Sequence, residues 1–174
     1  MLFRSGIKSM DQLFSPKNKG KIEVLSEMRD TIGIIMLYQG VDISKPFTSD
    51  QFMNAVDFLK KKINDGFIRQ VKGNDYKEDL ISGDAVAVIG WSGDLFQLAI
   101  ENDGKFDFAI PESGGTISGD NFMVPSTSTK AVEASKLINY YYDPVIAAKV
   151  AAYRSEEHTS ELQSHSDLVC RLLL

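Results

Sequence analysis

Histidine and cysteine are nearly missing from this chain. There is one cysteine, Cys170, and the two histidines are His158 and His165. All three lie beyond Tyr153. Between Gly6 and Tyr153 there is neither residue. Zinc sites, thiol nucleophiles and serine–histidine–acid triads are therefore unsupported there. Basic charge is not in excess either. The whole chain carries a net charge of −5, and setting aside Arg4, Arg154 and Arg171 with Glu156, Glu157, Glu161 and Asp167 leaves −4. Mild acidity argues against a nucleic-acid partner. No apolar run is long enough to span a bilayer. The near-absence of cysteine fits an extracytoplasmic protein without disulfides, as it fits many others.

The two ends do not read as protein. Arg154 to His165, RSEEHTSELQSH, is what one frame of a common DNA sequencing adapter encodes, and Leu2-Phe3-Arg4-Ser5 matches the reverse-complement end of such an adapter. The expectation is that residues 1–5 and 154–174 are foreign to the domain. The tail leucines Leu162, Leu168 and Leu172 should then not pack on the core. Such segments say nothing about the fold.

What remains alternates between strands and helices. Ser9–Phe14 is a short amphipathic turn, and Lys21–Leu25 a strand. Ser26 is positioned to cap a helix running to about Tyr38 and ending near Gly40. A second helix starts at Thr48 or Ser49, with Phe52, Val56, Leu59 and Ile63 at helical spacing. Phe67–Val71 reads as a strand and Asp75–Ile81 as a helix. Asp84–Gly90 is a buried strand, with Ser92 capping the helix after it. Phe106–Ile110 is another strand, Thr116–Val124 is extended, and Ala131–Tyr142 and Pro144–Tyr153 are helices. The alternation implies an α/β fold with a mainly parallel sheet.

The most informative stretch is Ile89-Gly90-Trp91-Ser92-Gly93-Asp94. It places the sole tryptophan at a strand-to-helix corner, three residues before a carboxylate. Loops at the carboxyl ends of strands are where open α/β folds bind ligands. An aromatic face beside an acid suits a cation. The plainer alternatives are that Trp91 fills a core and that Asp94 favours a helix N-terminus. Glu27 and Asp30 share one face at the start of a helix, where the plain reading is again a dipole interaction.

The order of motifs resembles the extracellular solute-binding proteins of spermidine/putrescine ABC transporters. The resemblance is carried by DQLFSPKNKGKIEVL, SEMRDTIG, YKEDLISGDAVAVIGWSGDLFQ, FAIPESGGTISGDNFMVP and AVEASKLINYYYDPVIAAKVA. It implies a type II periplasmic-binding-protein fold, with most of one lobe plus part of the other. Residues 6–115 would form most of the second lobe, 116–119 a hinge crossover, and 120–153 a return into the first lobe. Phe122, Val124, Leu137, Ile138 and Ile146 would there lack the sheet they pack on. It further implies binding, without catalysis, of a small cationic solute such as putrescine or spermidine. The expected ligand contacts are Trp91, Asp94, Asp120, Asp30 and Glu27, with Asp120 the strongest acid and Asp30 favoured over Glu27. No cofactor or metal is expected. The partners would be ABC permease subunits, the protein monomeric, and its location periplasmic or extracellular, free or lipoprotein-anchored. Ser118 departs from the pattern, because the family often has an aromatic residue there that stacks on the ligand. Two other readings stand beside this one: a protein of the same fold for another small solute, and an enzyme on that fold.

Overall fold

A computed structural model describes residues 2–3, 7–117, 119 and 121–154. The expectations for Asp120, Ser118 and the tail leucines lie outside these residues. The chain forms two compact units that part after Ile117.

The first unit is built on a five-stranded sheet. Its strands are β1 (Leu2–Phe3), β2 (Ile22–Leu25), β3 (Ile68–Lys72), β4 (Ala87–Val88) and β5 (Asp107–Phe108). Their order is β3-β2-β4-β1-β5. β2 is parallel to both β3 and β4, whereas β1 is antiparallel to β4 and β5. The sheet is thus mixed, with β1 alone running against the rest. Leu2–Phe3, set aside on sequence grounds, supplies that strand. Any extended dipeptide can offer such backbone pairing, so the pairing does not bear on the origin of residues 1–5.

Alternation along β2 and β4 splits the core between the two faces of the sheet. Ile22, Val24, Ala87 and Ile89 point to one side, where they pack with Met10, Leu13, Phe14, Ile32, Ile35 and Ile68. That side is covered by α1 (Met10–Leu13), α2 (Met28–Tyr38) and α3 (Ser49–Asn64). Leu25 and Val88 point to the other side, with Tyr76, Leu80, Leu95, Leu98 and Phe106. There the cover is α4 (Tyr76–Ser82) and α5 (Ser92–Glu101). Two apolar layers explain why the chain around β4, Ala85 to Ile89, reads as a continuous hydrophobic run and why β2 does so apart from Glu23.

Helix starts differ from the sequence expectation in two places. The N-cap of α2 is Glu27, not Ser26, and that of α5 is Trp91, not Ser92; neither makes a side-chain capping bond. The start of α2 is fixed instead by Thr31, buried, whose Oγ1 donates to the Leu25 carbonyl at 2.7 Å. α3 begins as expected at Thr48, through a reciprocal capping box with Gln51.

One residue of β2 breaks the apolar pattern. Glu23 is fully buried on the α4 side of the sheet. Its Oε1 accepts from Arg69 Nη1 at 2.8 Å. Arg69 also pairs with Asp79 at 3.1 Å and Asp84 at 3.5 Å, and Lys72 pairs with Asp79. Glu23 Oε2 is buried with no donor in reach. A proton on the buried carboxyl would let it donate to the neighbouring Asp79 carboxylate. Accordingly burial, and then Asp79, push the Glu23 carboxyl from 4.5 up to about 7, against the pull of Arg69. The cluster ties β2, β3 and α4 together, and its charges are costly to separate once buried.

The second unit contains α6 (Ala131–Tyr141) and α7 (Pro144–Arg154). Phe122 packs edge-on against Tyr141 at 4.8 Å, and Tyr141 against Tyr142 at 5.8 Å. α6 buries no residue. Phe122 and Leu137 are exposed, while Val124, Ile138 and Ile146 are half-buried.

The raised Glu23 carboxyl sets a pH dependence. A proton held more tightly in the folded chain stabilises it below about 4.5, and this gain is lost as pH rises through about 7. Asp79 is held below its ordinary value, chiefly by Lys72, so its contribution is lost only in acid. Glu23→Gln keeps an acceptor for Arg69 and a donor for Asp79 at every pH. Thermal unfolding from pH 5 to 8 should show the wild type losing stability relative to Glu23→Gln as pH rises. Parallel curves would contradict the shared-proton description.

Candidate functional site

The chain leaves β2 to form α2 and leaves β4 to form α5. β2 and β4 are adjacent and parallel, while the intervening β3 lies on the other side of β2. The order therefore reverses between β2 and β4, and the loops at their carboxyl ends diverge. That divergence is the crevice in which open α/β sheets bind ligands.

The residues flanking it come together. Trp91 follows β4, and its Nε1 donates to Asp30 Oδ2 at 3.0 Å. Asp30 lies in the first turn of α2, where a carboxylate interacts favourably with the helix dipole. Its other oxygen, Oδ1, accepts from Thr116 Oγ1 at 3.0 Å. One carboxylate thus joins the β2 loop, the β4 loop and the segment ahead of Ile117. Trp91 and Asp30 are both half-buried. Trp91 packs on the α4–α5 side of the sheet without being enclosed.

Asp94 is held from a different direction. It sits in the first turn of α5, and Tyr76 Oη donates to its Oδ2 at 3.1 Å. The same hydroxyl accepts from the Trp91 backbone N–H at 3.4 Å. Tyr76 is fully buried, with its ring 6.3 Å from that of Trp91. Burial first, and then the Asp94 charge, raise the phenol above its ordinary value and hold it neutral. Gly90 favours the approach: a Cβ there would lie 3.1 Å from Tyr76 Cζ and 3.2 Å from Leu95 Cδ1, tight enough to push the ring back. On its outer side Asp94 Oδ1 meets Lys77 Nζ at 3.5 Å.

Of the sequence candidates, Trp91, Asp30 and Asp94 are brought together. Glu27 is exposed at the N-cap of α2 and makes no capping bond. Asp120 lies outside the described residues. Sequence reasoning missed Tyr76, Lys77 and Thr116. Tyr76 opens a short helix in an unremarkable context, and only its buried hydroxyl marks it. Among the described residues no cluster of histidine, cysteine and acidic side chains is suited to a metal. A cavity of about 130 Å³ lies elsewhere, beside Met10, Asp11, Tyr38 and Glu112. It is small for an organic ligand and apart from the tryptophan.

The sequence profile of the bacterial extracellular solute-binding proteins matches residues 2–156. The chain belongs to this family. It is a family of solute-binding proteins and not of enzymes. The chain is 26% identical over 155 residues to the putrescine-binding periplasmic protein PotF of Escherichia coli, covering 83% of this chain and 41% of that one. It is 24% identical over 145 residues to spermidine/putrescine-binding periplasmic protein 1 of Haemophilus influenzae, covering 82% and 38%. Among solved structures, a protein of Listeria monocytogenes assigned to a spermidine/putrescine ABC transporter superposes with a TM-score of 0.77. Identity there is 23%, over 87% of this chain and 48% of that one. The spermidine/putrescine substrate-binding protein PotD of Streptococcus pneumoniae gives 0.69 at 19% identity, over 95% and 53%. The fold is that of the periplasmic binding proteins, and the chain is a part of it. It spans about two fifths of the length of the curated relatives it matches.

Trp91 is the sole tryptophan, so its fluorescence reports on this site alone. Asp30→Ala removes the acceptor that fixes the indole. Its emission should shift to the red and its anisotropy fall. A hydrogen bond to a charged acceptor is worth about 1.5–3 kcal/mol when buried; here, half-buried, the loss in denaturant unfolding should be at or below about 1.5 kcal/mol. Unchanged emission would mean that Asp30 does not orient Trp91.

Proposed function

We propose that this chain is part of the substrate-binding component of an ABC importer that takes up a small polyamine. In this reading residues 6–115 belong to one lobe, 116–119 to a hinge and 120–153 to the other lobe. The observation that carries the reading is the meeting of Trp91, Asp30 and Asp94 at the switch point of the sheet. An indole face flanked by carboxylates matches the chemistry of ammonium groups joined by methylenes. The acids attract the charged ends and the ring covers the chain between them. The names of the relatives support the same ligand class, since they are putrescine- and spermidine-binding proteins.

The roles within the site follow from the contacts. Asp30 has both oxygens engaged by protein donors, so it orients the indole first and meets a ligand only with its remaining lone pairs. Asp94 presents Oδ1 outward and is the better ammonium acceptor. Asp120, assigned through the resemblance, would supply the acid at the other end. Glu27 would act at the rim, through its charge. Ser118 leaves one stacking wall missing relative to the family pattern, which bears on chain length and keeps a different small cation as the second reading. The protein would work outside the cytoplasm, in the periplasm or on the cell surface, as a monomer that docks on permease subunits.

Titration calorimetry on the intact protein with putrescine, spermidine and 1,4-butanediol tests the reading. Both amines should bind and the neutral diol should not. Asp120→Asn should cost about 2–5 kcal/mol, as expected for a desolvated ammonium left without its partner. Trp91→Phe should cost less, within the cation–π range of about 0.5–2 kcal/mol. Equal affinity for the diol, or no effect of Asp120→Asn, would rule out recognition by charge.

A further inference from the structure

Lys77 is the second residue of α4. A cation at a helix N-terminus opposes the dipole, so the helix itself gives no reason for a lysine at this position. Its ammonium instead faces Asp94 Oδ1 at 3.5 Å, with the Lys77 side chain 37% exposed and that of Asp94 27%. The other Asp94 oxygen is taken by the buried Tyr76 hydroxyl. The accessible position on this carboxylate, where a ligand ammonium would dock, is thus already faced by an ammonium of the chain.

We propose that Lys77 is a tethered competitor for the cation subsite at Asp94, and that it sets the affinity of the site by having to be displaced. This rests on the reading of the site as one that binds ammonium groups. Two ammoniums on one carboxylate oxygen repel at contact distance. Lys77 sits on a flexible four-carbon stem with open solvent beside it, so it can swing out when a ligand arrives. While it is in place, only the fraction of molecules with Asp94 free is competent, and the apparent affinity falls by that fraction. A partly exposed pair of this kind is occupied with a preference of about two- to five-fold, which is the size of the expected effect. Lys77 is screened by salt like any exposed charge, so the effect fades as ionic strength rises.

Two measurements on the intact protein test this. The first is the acetylation rate of the Lys77 amine, mapped by mass spectrometry. It should be about two- to five-fold slower in the ligand-free wild type than in Asp94→Asn, which keeps an acceptor for Tyr76. Putrescine should raise the wild-type rate, because the ligand releases the lysine. The second is putrescine binding at low ionic strength. Lys77→Met should bind about two- to five-fold tighter than wild type, with the gain reduced at high salt and absent in an Asp94→Asn background. Equal labelling of wild type and Asp94→Asn overturns the proposal whether or not putrescine binds. So does protection of Lys77 by bound putrescine, or a Lys77→Met variant that binds no tighter. Failure of every variant to bind putrescine, with the labelling difference intact, overturns the polyamine reading and leaves Lys77 as the partner of Asp94.

Discussion

The hydrogen bond from the Trp91 indole to Asp30 spans the gap between two neighbouring parallel strands whose following loops diverge. Without it, the ring at the end of β4 would be held only by its packing beside Tyr76, and the crevice would have a looser wall. With it, one carboxylate holds the aromatic face, the first turn of α2 and Thr116 in a single arrangement. The bond joins residues far apart in the sequence, so the sheet order has to form before the site exists. An orientation fixed before the ligand arrives reduces the ordering cost of binding.

A second arrangement, deeper in the unit, aims the other half of the site. α4 carries Asp79 toward the buried Glu23 cluster and Tyr76 toward Asp94. The salt-bridged face of this helix fixes its position against β2 and β3, and its first residue then reaches the crevice. Gly90 eases their contact, since a Cβ there would press on the Tyr76 ring at 3.1 Å. The buried charges make the placement of α4 specific, at a cost in stability that an apolar core would avoid. Lys77 follows from the same placement: one residue on from Tyr76, it projects to the outer side of the carboxylate that Tyr76 holds from within.

Much of this was legible in the sequence because the signals were periodic or punctuated. The helix from Thr48 announced itself by its capping pair and its apolar spacing. The strand-to-helix corner at Trp91 followed from an apolar run ended by Gly90. The family resemblance was spread over five blocks, and the profile match over residues 2–156 agrees with it. What was not legible depended on contacts between distant residues. Ser26 and Ser92 looked like caps, yet the chain turns into each helix one residue away from them, because Thr31 and Tyr76 fix those entries from the side. Glu23 read as one polar residue in a short strand, and nothing local announced a partner 46 residues on. Tyr76, Thr116 and Lys77 acquire their roles only through Asp94 and Asp30. The direction of β1 was equally hidden, since two residues carry no pattern.

The central claim is that ligand lies at the carboxyl ends of β2 and β4, against Trp91 and Asp94. A crystal structure of the intact protein with putrescine tests it most directly. The account predicts an ammonium within hydrogen-bonding distance of Asp94, the methylene chain across the indole face, the Trp91–Asp30 bond intact and Lys77 turned away. A diamine bound elsewhere on the chain, with Trp91 uncovered and Lys77 still on Asp94, would contradict it.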